Sequence, residues 1–70
     1  MHAPTIDEMH AELHRHGWSL GELAYEQASR LVWQVDARRG ETWIVARERN
    51  QTAAWREAWR EAKTRPDAAL

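Results

Sequence analysis

Apolar residues recur along this chain with two different periods. Ile6, Met9 and Leu13 stand at i, i+3 and i+7, and Trp55, Ala58, Trp59 and Ala62 at i, i+3, i+4 and i+7. That spacing gathers side chains on one stripe of an α-helix. Between these segments the pattern is that of strands. Arg30 to Ala37 carries Leu31, Val32, Trp33 and Val35, and Glu41 to Arg49 carries Thr42, Trp43, Ile44 and Val45. These residue types fit a pleated, half-buried surface.

Polar and special residues predict where the elements stop. Thr5 with Glu8 three residues later is a capping box, and Asp7 and Glu8 suit the positive end of a helix dipole. Gly17 follows the last periodic residue as a C′ glycine would, and Trp18 then takes the hydrophobic contact of a Schellman motif. A helix is therefore expected over residues 6–16, after a frayed end at Met1 to Pro4. Thr52 is the expected N-cap of the second helix, in which Ala53, Ala54, Ala58 and Ala62 are the strongest helix formers. Arg65, Pro66 and Asp67 are expected to end it, leaving Ala68 to Leu70 as a loose tail.

Residues 18–28 read as a short first strand interrupted near Gly21, with a turn over Glu26 to Ser29; a helical turn around Glu22 to Gln27 fits the same residues. The following hairpin is expected to close through a four-residue loop, Ala37 to Gly40, with Gly40 available for a positive φ. That loop pairs Trp33 with Ile44, Leu31 with Ala46 and Val35 with Thr42, and turns Arg30, Val32, Gln34, Trp43, Val45 and Arg47 to the opposite face. A three-residue loop would exchange the two faces and set Trp43 and Val45 beside Leu31 and Trp33. The expected architecture is an α+β, two-layer α-β-β-β-α fold: a three-stranded antiparallel meander with both helices on one face. Residues 1–70 form one domain, with an ordered core over about 5–64.

The order and size of these elements resemble the double-stranded-RNA-binding-domain fold over nearly the whole chain. The chain also resembles HicA-type toxins in the glycine-aromatic end of its first helix, His16-Gly17-Trp18. The run from Gln51 to Ala62 is similar to helix starts of HicB-type antitoxins and of short bacterial and phage proteins. What the resemblance implies is a fold. Ala53, Ala54 and Trp55 stand where an RNA-binding domain would present lysines, and the strand RLVWQV lacks the Gly-Ser-His of a HicA-type toxin.

Composition narrows the function. Ten basic and eleven acidic residues give a net charge of −1, against the positive excess of a dedicated nucleic-acid binder. Without cysteine there is no disulfide or thiolate site, and five tryptophans help to fill the small core. No apolar run approaches the length of a membrane span and no signal peptide is evident, so a soluble, cytoplasmic protein is expected.

No constellation for catalysis stands out, and no enzyme activity is expected. Asp36 with Glu41, and Glu57 with Glu61, read as solvated carboxylates without a nucleophile or partner histidine. No cofactor or metal is expected; in the H-x3-H-x-H run of His10, His14 and His16, the pair His10 and His14, at i and i+4, could share an ion only if His2 or Glu12 supplied a further ligand. The candidate site is the uncovered sheet face. There Trp43, Val32, Val45, Arg30 and Arg47 would form a patch for a protein partner or a second copy of the chain. The alternative is nucleic-acid binding, with Arg38, Arg39, Arg47 and Arg49 around Trp43.

Overall fold

The computed structural model describes residues 2–65 and runs α1 (Ile6–Arg15), β1 (Ser19–Gln27), β2 (Arg30–Arg39), β3 (Thr42–Glu48) and α2 (Gln51–Thr64). The strands form one antiparallel sheet in the order β1-β2-β3, giving the expected α+β, α-β-β-β-α arrangement. The expected tail at 66–70 and Met1 lie outside the described residues.

The end of α1 follows its sequence signals closely. Thr5 accepts from the Glu8 backbone N–H at 3.1 Å, and Glu8 Oε1 accepts from the Thr5 N–H at 2.8 Å. The bond from Thr5 and a 3.3 Å contact with His2 hold the Glu8 carboxyl below its ordinary pKa. At the other end, Trp18 N–H reaches the Leu13 carbonyl and Gly17 N–H the His14 carbonyl, the two bonds of a Schellman motif, with Gly17 at φ +90°.

Several expected boundaries are corrected. β1 is not interrupted at Gly21, and the turn after it is only Ala28–Ser29, both with positive φ as a type I′ turn requires. The β2–β3 turn is Gly40–Glu41 rather than Ala37 to Gly40. Gly40 alone adopts positive φ (+59°), the pattern of a type II′ turn. The tighter turn extends β2 and shifts the pairing, so Val35 meets Ala46 and Ala37 meets Ile44. Thr42 is opposite Arg39. Because the slip is an even number of residues, every side chain keeps its expected face. α2 starts earlier than expected: Asn50, not Thr52, is the N-cap, its side chain accepting from the Ala53 N–H at 2.8 Å. α2 ends at Arg65, held extended at φ −74°, ψ 130°, as a residue before proline prefers.

Both helices cover the face that carries Val35, Ala37, Ile44 and Ala46, where they bury Met9, Leu13, Ala54, Trp55, Ala58 and Ala62. Trp18, 1% exposed, is the largest fully buried side chain. Arg39 lies over its ring at 4.5 Å from the centroid, and its indole Nε1 is buried without a hydrogen-bond partner among the described residues. Within α2 the two tryptophans differ: Trp55 is 4% exposed, whereas Trp59 packs on the edge of the core. Leu31, expected inside, is 53% exposed because the β1–β2 hairpin runs past the end of β3, whose last residue Glu48 pairs with Trp33.

Candidate functional site: the uncovered sheet face

Alternation along three strands decides what the uncovered face presents. Its rows are Ser19–Arg38–Trp43, Gly21–Asp36–Val45, Leu23–Gln34–Arg47, Tyr25–Val32 and Gln27–Arg30. Trp43 is 58% exposed, the most exposed large apolar side chain among the described residues. Arg38, directly across from it, lies over its ring at 5.3 Å. Arg47 Nε donates to Gln34 Oε1 at 2.9 Å. The Asp36 carboxylate occupies the space above Gly21, where a Cβ would come within 2.5 Å of Oδ1.

The expected patch is only partly assembled. Trp43 and Val45 are neighbours on β3, with Arg47 one step further. Val32 pairs with Tyr25 instead of lying beside Val45, and Arg30 sits at the far end of the hairpin opposite Gln27. The shifted register is the physical cause, since it moves β3 toward the other end of β2. The arginine set is divided too. Arg38 belongs to the Trp43 face, Arg39 turns to the covered face over Trp18 and donates to the His16 carbonyl at 3.1 Å, and Arg49 lies beyond β3 at the approach to α2.

The structure adds a second apolar spot that sequence reasoning missed. Leu23, 47% exposed, and Tyr25 share this face with Val32. Their i, i+2 spacing was the available signal, but it needed β1 to run unbroken through Gly21. The structure also separates the charges by face. Arg30, Arg38 and Arg47 stand on the uncovered face against Asp36 alone, while Glu22, Glu26 and Glu48 point to the helical side.

Comparison with protein-family models, with curated proteins and with solved structures finds no match for this chain. Its own geometry therefore carries the functional reading. No pocket is present among the described residues, and no three His, Cys, Asp or Glu side chains gather as a metal site requires. His10 and His14 stack in parallel at 6.2 Å between ring centroids, and His10 also leans on Trp55 at 5.6 Å. No described helix is long and apolar enough to cross a membrane.

Proposed function

We propose that this protein is a small non-enzymatic binding module that takes a protein partner on the uncovered face of its sheet, with Trp43 as the anchor. The observation that carries this reading is the exposure of Trp43 beside Val45 on a face that neither helix covers. The face is composed as protein interfaces are: tryptophan, tyrosine and arginine are enriched at their hot spots, whereas lysine and glutamate are depleted. Here it carries Trp43, Tyr25, Arg30, Arg38 and Arg47, no lysine and no glutamate. A second reading, nucleic-acid binding, is favoured by one observation, the Arg38 guanidinium stacked on Trp43.

A photo-crosslinking residue placed at Val45, with one at Arg60 on the exposed side of α2 as control, distinguishes these readings in cells. Protein adducts confined to position 45 are expected, with the chain itself counted among them, and they should fall sharply when Trp43→Ala removes the anchor. Adducts to nucleic acid would establish the second reading. An adduct pattern identical at both positions would remove the uncovered face as a binding site.

A further inference from the structure

β3 combines an open edge with the exposed anchor. The two-residue turn Gly40–Glu41 makes Arg39–Thr42 a hydrogen-bonded pair, so Ile44, Ala46 and Glu48 also direct their backbone groups to β2. The N–H and C=O groups of Trp43, Val45 and Arg47 consequently face the free edge, and they bond to no described residue. Thr42–Glu48 reads TWIVARE: strongly strand-forming, with no proline, glycine or lysine and no charge before Arg47. Those are the features that normally keep an edge from pairing. The other free edge, β1, is blunted by comparison. It contains Gly21 and turns Glu22 and Glu26 toward the covered side.

We infer that a second copy of the chain joins antiparallel along the free edge of β3, beside the uncovered face, with Val45 on the two-fold axis. This rests on the reading of Trp43 as a binding anchor given above. The register follows from three requirements. Outward-facing residues must meet outward-facing residues, the whole strand must be used, and like charges must not meet. Only the pairing centred on Val45 engages all of Thr42–Glu48 without running into the Gly40–Glu41 turn. It sets Val45 against Val45, Ile44 against Ala46, Thr42 against Glu48, and Trp43 against Arg47 of the second copy. No like charges meet. Trp43 is then flanked by Arg38 of its own chain and Arg47 of the other, and the two sheets become one of six strands with a doubled uncovered face.

The chain has no cysteine, so single-cysteine variants report the register directly. In a hydrogen-bonded antiparallel pair the Cα atoms lie about 5.5 Å apart, inside the range of about 4.4–6.8 Å that a disulfide spans. Under mild oxidation Val45→Cys should become a disulfide-linked dimer, whereas Leu23→Cys on β1 should stay monomeric. Light scattering on the unmodified chain should show the mass rising with concentration from 8.2 kDa toward twice that value. Val45→Lys, which opposes two ammonium groups on the axis, should remain folded by circular dichroism and lose the dimer. A monomer at every concentration overturns the inference, as does a Leu23→Cys dimer formed in preference to the Val45→Cys one. A monomer whose position-45 crosslinks go to another protein leaves the uncovered-face reading standing. A dimer linked through Leu23→Cys and untouched by Trp43→Ala overturns both.

Discussion

Trp55 donates its indole N–H to Glu22 Oε1 at 2.6 Å, tying the first turns of α2 to β1 across the top of the core. The same oxygen accepts from Gln51 Nε2 at 2.8 Å. One turn along α2, Trp59 donates to Glu12 Oε1 of α1 at 2.5 Å. The two tryptophans thus fasten their helix to two different elements as well as packing beneath it.

Glu22 makes stability dependent on acid. The hydrogen bonds from Gln51 and then Trp55 hold its carboxyl below the ordinary pKa. A lowered folded value means that the contribution is complete above the unfolded pKa of about 4.3 and is lost as the pH falls through the folded value. Glu22→Gln should therefore lower the thermal midpoint at pH 7 and differ progressively less from the parent as the pH approaches 3. Because the side chain is exposed, the effect at neutral pH should be below about 1 kcal/mol. A gap that stays constant from pH 7 to 3 would show that the charge on Glu22 is not what the indole needs.

Trp55→Ala should be far more damaging than Trp59→Ala. Removing a buried tryptophan costs about 3–5 kcal/mol, comparable with the roughly 3–5 kcal/mol that a core of this size supplies. Trp59 is only half-buried, with Lys63 over its outer ring face at 4.0 Å, so its loss should leave a folded, weakened domain. Urea titrations of the two variants would check the order, and equal midpoints would refute it.

The Ala28–Ser29 turn is strained by its residues. Both occupy the left-handed region, at φ 53° and 65°, where a Cβ costs roughly 1–2 kcal/mol. Ala28→Asn with Ser29→Gly supplies the pair that a type I′ turn prefers. The double variant should unfold at higher temperature, with a gain on the order of 1–2 kcal/mol. No gain in calorimetry would mean that the hairpin tip relaxes in solution.

Zinc should leave the thermal midpoint unchanged. His10 and His14 stack on each other, and no third ligand joins them among the described residues. A site filled only in the folded state would add about 2.7 kcal/mol at a hundredfold excess over its dissociation constant. A shift of that size, abolished by His14→Ala, would establish a metal site on α1.

Outside residues 18–28, face and element type were legible from the chain alone. The i, i+3, i+7 stripes, the Thr5–Glu8 box and the Gly17–Trp18 stop need only neighbours in sequence, and all appear at α1 and α2. The exposure of Trp43 was legible too, because alternation depends on parity and survived an even shift in pairing. Which residues stand beside Trp43 was another matter. Whether the turn takes two residues or four depends on how far Ala37 and Ile44 can slide beneath the helices, and that is settled by packing between distant segments. The same packing separated Val32 from Val45, sent Arg39 to the opposite face, and chose Glu22 and Glu12 as the acceptors for two indoles. Local spacing dictates periodicity, caps and faces because the interactions lie within one turn of chain. Register, and with it the composition of the candidate site, came only from tertiary structure, where residues far apart in sequence compete for one core.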